Sequence, residues 1–430
     1  MTTRLAAWLE RASPARFSTY AIAAAFSAYF SMYAFRKPFA AATYEGDTWG
    51  GLELKIVLVV SQVAGYALSK FVSIKLVSEI TPARRATALV ALIGLAELAL
   101  LAFGLAPPGG KIVAIFFNGV PLGAVWGLVF GFLEGRRTSE ILGAGLSASY
   151  IVASGAVKSV GSWVLAQGID ESWMPFVTGL LFLPPFLLSV WLLRQLPAPN
   201  IADVRERTAR APMDRAARRA FLGRFAPGLL ALTALYMLLT AYRDFRDNFA
   251  AEIWVALGHG DQPAIFTYSE VPVALATMVG LAFIYRVRHN RTALFAVHGM
   301  MAAGTVLVGV ATLAFDFGLI GGAVWMISLG IGLYLAYVPY GCVLFDRLIA
   351  TTRAVGTAVF MIYVTDAFGY LGSILLLLYK SFGEPDLSWL QFFRGFSYVT
   401  SVTCTGAFAL SAWYFAHRTR ESAPAPMGRP

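Results

Sequence analysis

Twelve long, largely apolar stretches dominate this sequence, and each is long enough to cross the ~30 Å hydrocarbon core of a bilayer as an α-helix. Their extents are 17–40, 52–77, 86–106, 111–133, 141–167, 174–196, 226–257, 263–287, 293–316, 319–345, 354–380 and 389–416. The runs are continuously apolar rather than alternating, so they read as helices and not as barrel strands. Several exceed the minimum, which implies tilt or extension beyond the bilayer. The first run is too long for a signal-peptide core and is expected to remain as a helix. Composition agrees: 58% of the residues are hydrophobic and 13% charged, against about 45–50% and 25% in soluble domains. An ordinary soluble enzyme and a disordered chain are both excluded on these grounds.

The charges that remain set the topology. One set of loops is basic, with Arg4, Arg11 and Arg16; Arg84 and Arg85; Arg136 and Arg137; Arg286, Arg288 and Arg291; Arg347 and Arg353; and Arg418 and Arg420. The alternate loops carry Glu45 and Asp47, Asp170 and Glu171, Asp261, and Glu384 and Asp386. The positive-inside rule then puts both termini in the cytoplasm, and an even number of spans agrees. The expected location is a bacterial-type inner (plasma) membrane. The same rule accounts for the net charge of +10 without a nucleic-acid partner. Two cysteines, Cys342 and Cys404, exclude a disulfide framework and read as small packing residues. Four histidines without metal-ligand spacing make a metal site unexpected, and no cofactor motif is present.

The longest loop, 197–225, contains Pro197, Pro199, Pro212 and the arginines 205, 207, 210, 215, 218, 219 and 224. It reads as a basic cytoplasmic linker facing lipid headgroups. It divides the chain into an N-terminal six-helix bundle, 1–196, and a C-terminal one, 226–430. The halves share a repeat. Phe35-Arg36-Lys37-Pro38-Phe39-Ala40-Ala41 and Phe245-Arg246-Asp247-Asn248-Phe249-Ala250-Ala251 agree at five of seven positions, at an offset of 210. Ser61-Gln62-Val63 and Ser269-Glu270-Val271 recur at a similar offset, and Glu134 and Asp346 each precede a basic loop. The pattern implies parallel repeats related by an axis along the membrane normal.

On these motifs the chain resembles the major facilitator superfamily, and within it the organophosphate:phosphate antiporters. The resemblance spans nearly the whole chain. It is carried by Tyr33-Ala34-Phe35-Arg36-Lys37-Pro38-Phe39, Gly65-Tyr66-Ala67-Leu68-Ser69-Lys70-Phe71, Ser78-Glu79, Pro82-Ala83-Arg84, Tyr268-Ser269-Glu270, Gly356-Thr357-Ala358 and Phe368-Gly369-Tyr370-Leu371-Gly372. It implies an all-α membrane fold of twelve transmembrane helices in two pseudo-symmetric six-helix bundles. It also implies exchange of small anions, with Arg36 and Arg246 matching the family's two phosphate-gripping arginines and Glu270 its helix-eight glutamate. The chain departs from the family in Ser78-Glu79-Ile80, where Ser-Asp-Arg is usual, and in the fifth segment, where Ser154 and Lys158 stand near the place of a histidine. It is also similar to a bacterial membrane-protein group of unassigned function within the superfamily.

Six cations lie inside apolar segments: Arg36, Lys37, Lys70, Lys158, Arg243 and Arg246. At about 2.5–3.5 kcal/mol for each charge at a span centre, six uncompensated ones cost roughly 15–20 kcal/mol, more than the ~5–15 kcal/mol net stability of a domain. They must face water, pair with acids or snorkel. A wet chamber at the seam between the bundles, filled by an anion, satisfies the first two. Arginine suits it, because the planar fork donates two parallel hydrogen bonds to phosphate or carboxylate. Tyr29, Tyr33 and Arg36 share a face at i, i+4 and i+7, and Tyr150, Ser154 and Lys158 form a second polar stripe. Arg243 and Asp247 are spaced to pair within a helix, and Asp247 can also hold Arg246 or Lys37 until substrate displaces it. Glu270 and Asp366 are candidate proton or ion-pair coupling groups, with Asp247 the third. Glu97 reads as a packing or hydrogen-bonded acid, and Tyr334, Tyr337, Tyr363 and Tyr370 as packing residues with cavity-lining as the alternative. Gly119, Gly123 and Gly127 recur every four residues, which allows close helix approach.

The expectation is a non-enzymatic, monomeric secondary transporter of a small organic anion, by antiport or proton symport. A nucleophile–base pair and a nucleotide-binding motif are both missing from the sequence. The alternatives are an anion-binding sensor of the same fold, a membrane enzyme or a lipid flippase.

Overall fold

The structure, a computed structural model, describes residues 4–134, 136, 138–199, 203, 215–352 and 358–421. The side chains of 71, 73–79, 139–140, 215–222, 224, 352, 358–360, 362–364, 367 and 419–421 also lie outside the described set. Arg137, Arg205, Arg207, Arg210, Arg353, Gly356 and Thr357, and the side chains of Ser78, Glu79, Arg215, Arg218, Arg219, Arg224, Tyr363 and Arg420, are therefore outside it.

The order of elements follows the apolar runs. A short helix α1 (Arg4–Arg11) leads to α2 (Pro14–Met32). Ser13 caps α2, its Oγ accepting from the N–H of Arg16 at 3.4 Å, and Pro14 fills the first position, where no N–H is needed. Then come α3 (Leu54–Glu79), α4 (Arg85–Leu105), α5 (Pro108–Leu122), α6 (Val125–Gly131), α7 (Ser139–Ala166) and α8 (Met174–Arg194). Beyond the linker are α9 (Arg215–Asn248), α10 (Ala250–Ala256), α11 (Ile265–Tyr285), α12 (Asn290–Asp316) and α13 (Gly322–Tyr337). A π-helical turn, Tyr340–Leu344, precedes α14 (Phe345–Thr352), α15 (Ala358–Phe382) and α16 (Trp389–Glu421). The two-residue strands β1 (Thr48–Trp49) and β2 (Leu52–Glu53) pair antiparallel around Gly50-Gly51. Those glycines take φ +61° and +83°, the left-handed pair that a two-residue hairpin turn demands.

Each of the twelve expected segments is occupied by long helix. Among the described residues, eight helices qualify as membrane spans by length and composition alone, at the third to tenth segments. Large apolar side chains such as Leu98, Phe117, Leu188, Leu275 and Phe283 are exposed along them. In water such surfaces would aggregate, whereas acyl chains accommodate them.

Among the described residues, four segments depart from the expected continuous α-helix. The fourth is interrupted at Gly123-Ala124 between α5 and α6, and the tenth passes into the π-helical turn after Tyr337. The first, expected over 17–40, ends as α-helix at Met32 and continues as 3₁₀ turns at Tyr33–Phe35 and Pro38–Ala41. Tyr29 and Tyr33 still meet edge to face at 5.6 Å, but Arg36 lies past the α-helical end and is not on one helical face with them. Pro38 is the physical reason: it lacks an N–H, and its ring disfavours helix at the residue before it. The seventh segment breaks between Asn248 and Ala250, where Phe249 takes φ −108° and ψ 22°. The breaks in the first and seventh segments fall inside the seven-residue repeat.

The described residues fall into two compact units. The first comprises those of Met1–Thr208, Asp244–Ala274 and Ser373–Phe393; the second, those of Ala209–Arg243, Leu275–Gly372 and Arg394–Pro430. In the first, α2 packs on α7 and α8, and α4 on α5 and α8. The α3–α5 contact is close because glycine allows it. A Cβ on Gly65 would lie 2.2 Å from the Phe116 carbonyl oxygen, and one on Gly119 2.4 Å from that of Gln62. Gly123 sits equally tightly on Ser69. In the second unit α12 packs on α13.

Candidate functional site

The break at Arg36-Lys37-Pro38 frees backbone carbonyls inside an apolar region, and such groups need partners. Two side-chain amides supply them. Asn118 on α5 donates through Nδ2 to the Phe35 carbonyl at 2.8 Å and to that of Ala96 at 3.1 Å. Gln62 on α3 donates through Nε2 to the Arg36 carbonyl at 2.8 Å and to Asn118 Oδ1 at 2.8 Å. Both amides are buried. They fix the exact course of the chain where two cations leave it.

Lys37 and Lys158 converge on one carboxylate. Lys37 Nζ lies 2.5 Å from Asp247 Oδ2 and donates to Asn248 Oδ1 at 2.9 Å. Lys158 Nζ lies 2.6 Å from Asp247 Oδ1 and also donates to the Asp247 carbonyl at 2.7 Å. Ser154, one turn before Lys158, donates its hydroxyl to Asp247 Oδ1. Each Asp247 oxygen is thus held by a different ammonium group. Lys37 and Lys158 are almost fully buried, so the pairs act in a low-dielectric setting.

The arginines of the repeat differ in their surroundings. Arg246 Nη1 donates to Glu270 Oε1 at 2.7 Å, with both residues buried. The Arg36 guanidinium lies 3.8 Å from the centroid of the Tyr66 ring, and Lys70 Nζ lies 5.4 Å from the same ring. The repeat therefore extends to partners: Gln62 holds the Arg36 backbone, and Glu270, its counterpart in the second copy, holds the Arg246 side chain. Gly155 on α7 brings this part together, since a Cβ there would lie 2.3 Å from the Phe266 carbonyl oxygen and 2.7 Å from Glu270 Cγ.

A further pair was not anticipated from the sequence. Lys55, at the start of α3, is 1% exposed, pairs with Glu252 at 2.5 Å and donates to the Ala40 carbonyl at 3.1 Å. A cavity of about 300 Å³ in the same unit is lined by Ala41 and Ala251, the last residues of the two repeat copies, and by Glu171, Trp254, His259 and Phe266. Phe266 is also 5.6 Å from Lys158 Nζ, so its ring is a wall shared by the cavity and the charge cluster.

Arg243, Tyr337 and Asp366 belong to the second unit. Arg243 donates to the Tyr337 hydroxyl and stacks 4.7 Å from that ring. The carboxylate of Asp247 is held by the two lysines. Asp366 accepts from the Tyr236 hydroxyl at 2.5 Å, so Tyr337 joins a polar network rather than serving in packing alone. Glu97 is buried against Gly179 in the first unit, and neither carboxylate oxygen has a hydrogen-bond partner. Of the two readings, packing or hydrogen-bonded acid, this arrangement fits packing. Among the described residues no group of His, Cys, Asp and Glu is arranged to hold a metal ion.

A family model described as "Family of unknown function (DUF5690)" matches residues 38–418. No curated protein matches the sequence. Among solved structures, a D-xylose–proton symporter superposes with TM-score 0.62 at 13% identity, over 95% of this chain and 99% of that one. The nucleoside transporter NupG, as its D323A mutant, superposes with TM-score 0.59 at 13% identity, over 93% of this chain and 99% of that one. The fold is thus the all-α membrane fold of these transporters, of the major facilitator type.

Proposed function

The chain belongs to the DUF5690 family of unknown function, and on that premise we propose that it is a secondary active transporter of a small organic anion of the organophosphate class. The carrying observation is the grip of Lys37 and Lys158 on the two oxygens of Asp247. Two ammonium groups and a serine hydroxyl around one carboxylate form an anion site occupied by the protein's own side chain. Four cations, Arg36, Lys37, Lys158 and Arg246, stand against Asp247, Glu270 and Asp244, which also acts on Lys37, so this set carries an excess of one positive charge, which a bound anion would neutralise.

The mechanism follows from competition. Without substrate, Asp247 satisfies Lys37 and Lys158, and Glu270 satisfies Arg246. A phosphate or carboxylate entering the cluster offers better-placed oxygens and displaces these acids, and arginine accepts it through two parallel hydrogen bonds. Only a ligand that binds one conformation better than the other can shift their balance. Exchange of internal for external acceptors is such a differential interaction, and it drives alternating access. The loop charges support cytoplasmic termini and a bacterial-type inner membrane, and the chain functions as a monomer.

A thermal-shift panel on the purified protein tests the site: inorganic phosphate, sugar phosphates, phosphonates and carboxylates should stabilise it, while neutral sugars and nucleosides should not. Radiolabelled uptake of the best binder into proteoliposomes tests transport. Binding without flux would favour an anion sensor of the same fold, and stabilisation by neutral solutes alone would overturn the anion reading.

A further inference from the structure

The N-terminal helix carries a pattern that the charge cluster does not use. In α1, Arg4, Trp8 and Arg11 stand at i, i+4 and i+7 and so share one face. All three are exposed, and Trp8 keeps 46% of its surface open. Leu9, off that face, is buried. The helix therefore packs on the protein through Leu9 and turns an arginine–tryptophan–arginine stripe outward.

The chain fixes where that stripe sits. α1 ends at Arg11 and α2 begins at Pro14, with Ser13 extended at φ −61° and ψ 153°. Three Cα steps span roughly 11 Å at most, so α1 stays close to the start of the first apolar segment. The end of α8 lies beside it, because the Tyr20 hydroxyl on α2 donates to the Leu192 carbonyl at 2.9 Å. Next to Leu192 are Trp191, 49% exposed, and Arg194, also exposed. Arg16, in the first turn of α2, is exposed as well. The loop after α6 adds Arg136, 4.6 Å from the Phe17 ring, and Glu134. Among the described residues of these elements, Arg4, Arg11, Arg16, Arg136 and Arg194 face Glu10 and Glu134, so positive charge is in clear excess.

We propose that α1 is an interfacial helix that binds the headgroups of anionic phospholipids through Arg4 and Arg11, with Trp8 seated between them at headgroup depth. Charge complementarity selects this occupant. An excess of arginine at a bilayer surface attracts acidic lipids and is indifferent to zwitterionic ones. The guanidinium fork donates paired hydrogen bonds to a phosphate group. Tryptophan collects at the membrane–water boundary, where its ring is apolar and its N–H stays wet. Trp191 and Arg194 repeat that pairing on α8, so the headgroup layer meets the same chemistry on two elements. Bound there, α1 holds the start of α2 at a set depth. The inference is independent of what the transporter carries.

The test uses the full-length protein in vesicles of phosphatidylcholine with increasing phosphatidylglycerol. The chain has 10 tryptophans, so the Trp8 signal is taken as the difference between the wild type and Trp8→Phe. In phosphatidylglycerol-rich vesicles this signal should shift to the blue. Lipids brominated near the top of their acyl chains should quench it, and aqueous acrylamide should not. A Trp8 signal open to acrylamide and untouched by the brominated lipids would overturn the proposal. In Arg4→Gln/Arg11→Gln the phosphatidylglycerol fraction giving half the blue shift should rise by about fivefold or more, the factor that one arginine contributes at an anionic surface. Circular dichroism checks that this variant, altered only at exposed positions, is folded. An unchanged half-point would overturn the proposal. A Trp8 signal that follows the protein-to-lipid ratio and ignores lipid charge would assign the stripe to a second copy of the chain, which also overturns it.

Discussion

Lys37 and Asp247 occupy the same position in the two copies of a seven-residue repeat, and their side chains meet at 2.5 Å with opposite charge. Duplication would first have put the same residue in both places. A like pair there would repel, and an opposite pair bonds. Divergence at this position thus turns a symmetry-related contact into an ion pair, while Arg36 and Arg246 next to it retain the shared residue.

Exchanging the two residues tests whether the unit is a pair or a triad. For an isolated pair, Lys37→Asp with Asp247→Lys would rebuild the bridge. Here Lys158 also binds Asp247 at 2.6 Å, so the exchanged lysine would face Lys158. The double variant is expected to be unstable, and adding Lys158→Glu should recover much of the loss. Breaking a buried pair costs about 3–5 kcal/mol, which thermal unfolding in detergent would register.

Asp247→Asn isolates the competition between protein and substrate. It leaves two buried lysines short of a negative charge, so the free protein should lose roughly 3 kcal/mol or more of stability. Phosphate should restore more stability to this variant than it adds to the wild type, because no internal carboxylate competes. Thermal midpoints across a phosphate titration check this, and equal phosphate shifts in the two proteins would remove Asp247 from the role of internal ligand.

Arg246→Lys keeps the charge and the bond to Glu270 within reach but loses the fork. Phosphate affinity should fall by about tenfold to a hundredfold, corresponding to about 1.5–3 kcal/mol for a charge-assisted hydrogen bond, while the protein remains folded. Isothermal titration with phosphate gives the affinity, and circular dichroism the folded state.

The apolar runs made the helices legible, because membrane length is a constraint that composition alone reports. Pro38 was a visible sign that the first segment would not continue as α-helix to residue 40, yet the apolar run hides the break. What spacing cannot show is which distant side chain answers a given one. Arg243 is four residues from Asp247 and suited to pair with it, but nothing in the spacing shows that Lys158, from another helix, also reaches its carboxylate. The same holds for Lys55 and Glu252, each unremarkable in its own segment. Asn118 and Gln62 carried a faint signal, each an amide in the middle of an apolar run that must find partners somewhere.

Glycine packing gives a prediction independent of charge. Gly119→Ala would push a methyl group to 2.4 Å from the Gln62 carbonyl oxygen, displacing the amide that holds the Arg36 backbone. A loss of about 1–3 kcal/mol from overpacking is expected, together with weaker phosphate binding. Gly94→Ala on α4 meets no atom within 4 Å and should be neutral or stabilise by up to about 1 kcal/mol through helix propensity. Parallel thermal unfolding of the two variants compares them directly.

The last prediction concerns Glu171, in the turn before α8 and on the wall of the cavity. Burial raises its carboxyl above the usual value, partly offset by the N–H of Thr43, which donates to Oε1 at 3.3 Å. A carboxyl whose folded pKa lies above its unfolded one binds more protons in the native state. Stability then falls as pH rises through that interval, because ionisation is easier in the unfolded chain. Glu171→Gln removes the titration but keeps an oxygen for Thr43. The variant should match the wild type at acid pH and exceed it once the pH passes the raised value, with a flatter profile of thermal midpoint against pH. A variant less stable than the wild type at neutral pH would show that the ionised carboxylate stabilises the turn, contrary to the burial argument.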